Sequence, residues 1–492
     1  ADRKSYLQMQ SGAVIDNVSI QDGGILTSVG ANWTANNVTI DVGGATDITI
    51  GADTVLNATV MTEDGSYTLS WDAGSGVLAG YTLGGDGNIK VTLADDIDVY
   101  DFNDMTIINS TYSLGIRKTY NNLTVDNSTV TSYDNNTVNG MTVGGSATFL
   151  QFTKGTFNDV ALNGGKFEAA GTAEINNVVI DGTLYNTPVG DTSDNINGHF
   201  STQLVAYADG VVINGMVLQN GGSAFIYAGA TASGATVNSG GVLYLTNWNK
   251  DTNTTANILG DLVVQTGGTL WLGSTGNNIE KIQTYAGANI VGIASGTVIN
   301  DIVLRGANIE IDDKLTINNA LMGNNQTQTG GLVKTLTNNF GVWTMEGGVL
   351  ENYIHNNGNN VDCGIYIKGG TVQNLDLTKY NGTSYILGGS IEGGTMAGGT
   401  LSDVDATDPE AIVTGNGSIS NFTVTGTGIL SIASENTVLS NITLKGGTID
   451  AKVDISGINI YGGKILGSNA VNDSTIYEAT DMWTSKTYNN LT

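Results

Sequence analysis

The sequence predicts an all-β fold, a parallel β-solenoid, on three observations. A short unit recurs about every 20 residues, each unit carries a Gly-Gly pair at the same place, and the segments beside that pair alternate apolar with polar residues. The clearest copies are Asn17-Val-Ser-Ile-Gln-Asp-Gly23-Gly24 and Asn37-Val-Thr-Ile-Asp-Val-Gly43-Gly44. Looser copies follow from Asn139 to Gly145, Asn158 to Gly165, Asn214 to Gly222 and Asn441 to Gly447.

Each unit reads as strand, turn, strand. Val38-Thr39-Ile40 alternates, Gly43-Gly44 turns the chain, and Ala45 to Ile50 alternates again. Glycine at the turn takes positive φ without a Cβ clash, and the asparagine that opens many units tolerates the left-handed region as well. Helix is a poor alternative: no window keeps a 3.6-residue period clear of the 69 glycines, and each glycine costs about 1 kcal/mol in a helix. A unit this small cannot bury its apolar face alone, so units must stack, each strand pairing with its equivalent in the next unit.

With only Pro188 and Pro409, no proline-rich linker divides the chain. Residues 1–492 are therefore expected to form a single continuous β-helix of roughly 25 coils, right-handed by the usual strand-crossover chirality. Asp403-Val-Asp-Ala-Thr-Asp-Pro-Glu410 interrupts the rhythm and reads as a loop protruding near 403–410. Lys118-Thr-Tyr-Asn-Asn-Leu-Thr124 reappears as Lys486-Thr-Tyr-Asn-Asn-Leu-Thr492, where the chain stops in mid-motif, so a piece of a longer array is expected.

Composition narrows the function. The 18 Lys and Arg against 46 Asp and Glu leave a formal charge of −28, with Arg3, Arg117 and Arg305 as the whole supply of guanidinium groups. Such a field repels polyphosphate backbones and anionic membrane surfaces, which argues against nucleic acid and membranes as partners. No run approaches the roughly 20 apolar residues of a membrane span, so direct membrane insertion of this segment is not expected. The single cysteine, Cys363, cannot close an intrachain disulfide and reads as a small buried hydrophobe.

The stretch from Ala228 through Gly229-Ala-Thr-Ala-Ser-Gly-Ala-Thr-Val-Asn-Ser-Gly-Gly to Val242-Leu-Tyr-Leu245 resembles the iterated repeat of AIDA-type autotransporter adhesins. Echoes lie at Gly221 to Tyr227, Gly267 to Leu272, Ala286 to Asn300 and Gly369 to Asn374, so the repeat is clearest at 221–300. The resemblance implies the passenger of a secreted bacterial surface protein, a right-handed β-helix exported by a carboxy-terminal barrel and acting in adhesion, autoaggregation or biofilm. Outside 221–300 the repeat is degenerate, and these residues contain no translocating barrel.

Parallel β-helices also carry glycan-cleaving enzymes, and that chemistry needs paired carboxylates with an Arg, Lys or His nearby. The best carboxylate cluster is Asp95, Asp96, Asp98, Asp101 and Asp104, in which alternation sets Asp96 and Asp98 on one face. Neither histidine is close in sequence, and the nearest arginine is Arg117. The cluster reads as a solvated face, with a Ca²⁺ site as the alternative because Ca²⁺ takes about six to eight oxygens. Asp312-Asp313 reads as a turn before Lys314. His199 and His355 stand alone, without Cys or a second His at ligand spacing, and read as surface or turn residues. Gly84-Gly-Asp-Gly-Asn-Ile89 begins like a calcium nonapeptide but has Ile89 where an Asp ligand is needed.

Asn-x-Ser/Thr triplets at Asn17, Asn37, Asn122, Asn127, Asn421 and Asn441 could be glycosylation acceptors, yet the repeat itself generates them. Asn stands at a turn, and Ser or Thr two residues on is the outward residue of a strand. Stacked on successive coils, Asn and Thr would form side-chain ladders and a long polar face able to bind by repetition. Tyr244, Trp248, Trp271 and Trp343 could stack on sugar rings, although core or coil-edge packing is the simpler role.

The reading is therefore a bacterial cell-surface or secreted adhesin passenger that mediates self-association, biofilm or attachment to host or matrix molecules, with glycans a further partner. No catalytic, cofactor-binding or metal site is assigned. The alternative is a structural subunit of an extracellular filament or surface layer, and the third reading is a β-helical polysaccharide lyase or hydrolase.

Overall fold

The computed structural model describes residues 5–492 apart from 63–64, 85–88, 95–99, 183–201, 208–209, 228, 247–256, 274–275, 358–362, 404–415, 468–469, 478–480 and 483–487. Every regular element among the described residues is a strand, and no helix is long and apolar enough to cross a membrane. The chain is a parallel β-solenoid of about 21 turns, somewhat fewer than expected because several turns carry insertions. It divides into two compact units, Ala1–Ala256 and Asn257–Thr492.

In the first unit the long strands Thr119–Asp126, Asn136–Gly144, Gly155–Asn163, Ala173–Asp181, Val212–Gln219 and Thr231–Val237 stack in parallel, each one turn beyond the last. Short strands such as Thr129–Ser132, Thr148–Gln151 and Lys166–Ala169 build another wall. The second unit repeats the plan with Asn278–Thr284, Thr297–Leu304, Leu315–Met322, Leu332–Asn338, Val349–His355 and Thr371–Leu377.

Each long strand bends in the middle, and the bend resets the alternation. Inward residues therefore fall at i, i+3 and i+5, as Tyr120, Leu123 and Val125 do, then Val138, Met141 and Val143, then Phe157, Val160 and Leu162. All nine are buried and stack residue on residue along the turns. Phe149, Phe157 and Phe167 close one stretch of core as a mutually edge-on trio at 5.0 to 5.5 Å, a geometry favoured by the ring quadrupoles.

The two glycines of the corner have different reasons. Gly43 sits at φ 82°, the left-handed region. Gly44 does not, but its N–H donates to Asp41 O at 2.8 Å, and a Cβ there would lie 2.6 Å from the carbonyl oxygen of Ile20 on the preceding turn. One glycine bends the chain and the other lets adjacent turns approach.

One region departs from the parallel expectation. Val55–Thr62, Gly65–Asp72 and Val77–Ala79 pair antiparallel, an excursion from the stack.

Candidate interaction surface

The outward side chains form two kinds of row. The first is an asparagine ladder beside the corner: Asn121 donates from Nδ2 to Asn103 Oδ1 at 2.7 Å and Asn139 to Asn121 at 2.9 Å. Asn158 donates to Asn139 at 2.8 Å, Asn176 to Asn158 at 2.9 Å, and Asn214 to Asn176 at 2.9 Å. These amides are half-buried. Shorter ladders in the second unit join Asn278, Asn300 and Asn318, and separately Asn421, Asn441 and Asn459.

The next residue along is the bend in the middle of the long strand, a second corner distinct from the Gly-Gly turn. In register it is Asp104, Asn122, Gly140, Asp159, Asn177, Gly215 and Gly234, at φ 53°, 59°, 72°, 56°, 56°, 69° and 68°. Only residues that tolerate the left-handed region occupy this column, and Asn, Asp and Gly share it. All six triplet asparagines singled out in the sequence, Asn17, Asn37, Asn122, Asn127, Asn421 and Asn441, also have positive φ. Asn122 Nδ2 donates to Asp104 at 2.9 Å and Asn441 Nδ2 to Asn421 at 2.8 Å.

The second kind of row is threonine on the sheet faces. Thr119, Thr137 and Thr156 are neighbours on successive turns, as are Thr124 and Thr142, and Thr111, Thr129 and Thr148. All are half-exposed or exposed. The row of Thr119 is bounded by Asp101 on one side and Glu174 on the other.

The sequence predicts asparagine and threonine on one polar face, and the structure places them so: Thr119 and Asn121, Thr137 and Asn139, and Thr156 and Asn158 lie on either side of the inward Tyr120, Val138 and Phe157. Within that face the asparagines are engaged with each other, and the threonine rows run beside them, half-exposed. Among the described residues, only four ion pairs are present, Lys90 with Asp47, Lys166 with Glu168, Lys281 with Asp261 and Lys314 with Asp312.

Asp95, Asp96 and Asp98 lie outside the described residues, as do His199, Trp248 and 404–410. Asp101 stands in a strand and Asp104 in the corner, where it accepts from Asn122. Among the described residues no group of three His, Cys, Asp or Glu is placed to hold a metal ion. Asp312 and Asp313 do occupy a turn: Asp312 accepts Lys314 N at 3.0 Å, and Asp313 accepts Gly331 N at 3.1 Å. Asp403, expected at the start of a protruding loop, is fully buried. Its carboxylate accepts Ala433 N at 2.8 Å, Ser434 N at 2.9 Å and Thr437 Oγ1 at 2.9 Å, and so ties two turns together.

His355 also needs correction. It is 1% exposed, inside the solenoid rather than on its surface, with Nε2 2.8 Å from Asn357 O and its ring edge-on to Tyr380 at 4.4 Å. Burial holds its pKa below the usual histidine value, against opposing effects from Asn357 and Asp376. Trp343 and Tyr244 are buried too, and Trp271 is half-buried. Cys363 is buried, as expected, and its carbonyl oxygen accepts from Tyr380 Oη at 2.6 Å.

No protein-family model matches the chain, and no curated protein matches it. Among solved structures it is similar to a TibC-catalyzed hyper-glycosylated TibA fragment, 55–350. The similarity is 15% sequence identity with a TM-score of 0.27, over 79% of this chain and 99% of that one.

Proposed function

We propose that this chain is the passenger of a bacterial cell-surface adhesin, working outside the cell by association with copies of itself on neighbouring cells. The observation that carries the reading is the threonine row: Thr119, Thr137 and Thr156, flanked by Thr124 and Thr142, on strands locked together by the asparagine ladder. A single hydroxyl contact is weak. Repeated at the strand spacing of about 4.8 Å, many such contacts engage together, and avidity grows with their number.

The resemblance of 228–245 to AIDA-type repeats supports the same reading. In that stretch Thr231–Val237 is a strand, Gly240 turns at φ 74°, and Val242–Thr246 is the next strand. The reading takes 1–492 as one continuous solenoid, without a catalytic group or cofactor.

The test is display of the chain on cells that normally stay dispersed, mixed with labelled cells that lack it. The reading expects clumps built from displaying cells alone. Cells that stay dispersed would remove self-association, and clumps that recruit the bare cells equally would replace it with attachment to a common surface molecule.

A further inference from the structure

In the second unit one wall of the solenoid is interrupted. Thr269–Leu272, Asn289–Val291 and Asn308–Ile309 form a parallel stack that ends at Ile309. A separate stack begins on the next turn with Gln326–Gln328, Val342–Met345 and Gly364–Ile367. The two stacks touch through Gln326 Nε2 donating to Ala307 O at 3.1 Å and a bridge between Ile311 and Gln328. Two concavities of about 480 and 600 Å³ open at this seam and share Asn308 and Ile309 as common wall.

We propose that this seam binds a short neutral oligosaccharide, about two or three sugar rings long, a size suited to cavities of roughly 300–1,000 Å³. The lining has the required chemistry. Asn325 Oδ1 accepts Val342 N at 2.8 Å, which fixes the amide and leaves Nδ2 to donate. Asn308 Nδ2 donates to Asn289 Oδ1 at 2.9 Å, which leaves its carbonyl oxygen to accept. One donor and one acceptor in the same concavity complement sugar hydroxyls, which do both. Thr327 and Thr344 add hydroxyls from adjacent turns.

Apolar sugar faces have partners as well. Tyr366 lines one concavity, edge-on to Tyr385 at 4.6 Å. At the far end Ile290, Val291 and Ile293 line the other concavity. Charge selects for a neutral ligand: Lys314 is paired with Asp312 at 3.0 Å, and the remaining charges of the two linings, Glu310 in one and Lys368 in the other, are one of each sign. An anionic glycan would face this balanced lining inside a protein of net charge −28.

This site is independent of the threonine rows, which lie in the first unit, so it stands whether or not the chain self-associates. The experiment is calorimetric titration of the full chain with neutral di- to tetrasaccharides of glucose, galactose, mannose and N-acetylhexosamines, and with uronic-acid oligomers. Saturable binding of at least one neutral saccharide is expected. Asn308→Ala with Asn325→Ala should weaken it about tenfold or more, the loss of two hydrogen bonds. Thr344→Trp should block it while the circular dichroism spectrum is kept. No neutral saccharide bound, binding confined to uronic-acid oligomers, or affinity unchanged in the double alanine variant would each overturn the site.

Discussion

Asn158 donates to Asn139 at 2.8 Å and in turn accepts from Asn176 at 2.9 Å, so its amide is held from both sides by the turns before and after it. The sequence predicts side-chain ladders of stacked asparagines, and in the fold these ladders join neighbouring turns. Backbone pairing fixes strand spacing, and the ladder adds side-chain bonds worth about 1 kcal/mol each, more where truncation strands a half-buried partner.

Position in the ladder should therefore decide the cost of truncation. Asn158→Ala removes two ladder bonds, and Asn103→Ala removes one, the bond that Asn103 accepts from Asn121 at 2.7 Å. Urea unfolding should show a loss of about 2 kcal/mol for the first and about 1 kcal/mol for the second. Equal losses would mean that the side-chain bonds add nothing beyond packing.

The corner column gives a backbone test. Asn177 has φ 56°, and its column already holds Gly215 and Gly234 on the following turns. Asn177→Gly should be close to neutral in thermal unfolding, whereas Asn177→Ala should cost about 1–2 kcal/mol because Cβ opposes the left-handed region. The reverse order would contradict the assignment.

Much of this was legible in the sequence. The parallel solenoid, the Gly-Gly corner and the Asn at the turn follow from the repeat, because Asn17 with Gly23-Gly24 and Asn37 with Gly43-Gly44 preserve both spacing and chemistry. Degeneracy elsewhere is explained by the corner column: the fold demands positive φ, which Asn, Asp and Gly all supply, so the letters change while the geometry does not. Simple alternation does not place His355 inside, because it fails at the bend. Aligning Leu350, Tyr353 and His355 with Val372, Leu375 and Leu377 would have placed His355 inward.

That placement has a pH consequence. The folded protein holds His355 neutral with a lowered pKa, because burial penalises the imidazolium. The unfolded chain, with the ordinary value near 6.5, binds the proton more readily. Below about pH 6.5 protonation then favours unfolding, so stability should fall as the pH drops from 7.5 to 5.5. His355→Gln should flatten that part of the profile in urea titrations. An unchanged slope would assign the effect to other groups.

Self-association must also overcome charge. Two copies at −28 repel through solvent, and about 0.15 M salt shortens the reach of that repulsion to about 8 Å. Light scattering of the purified chain should rise between about 0.01 and 0.15 M sodium chloride, since the threonine contacts are neutral and the repulsion is screened. A monotonic fall with salt would point to contacts between opposite charges.

The central claim is that the threonine row is the surface by which copies meet. Its most direct measurement is clumping of cells that display Thr119→Lys, Thr137→Lys and Thr156→Lys together, beside cells that display the unaltered chain. The account expects the unaltered chain to clump and the lysine variant to stay dispersed, with the same urea midpoint and a β-rich circular dichroism spectrum. Undiminished clumping by the folded lysine variant would contradict it.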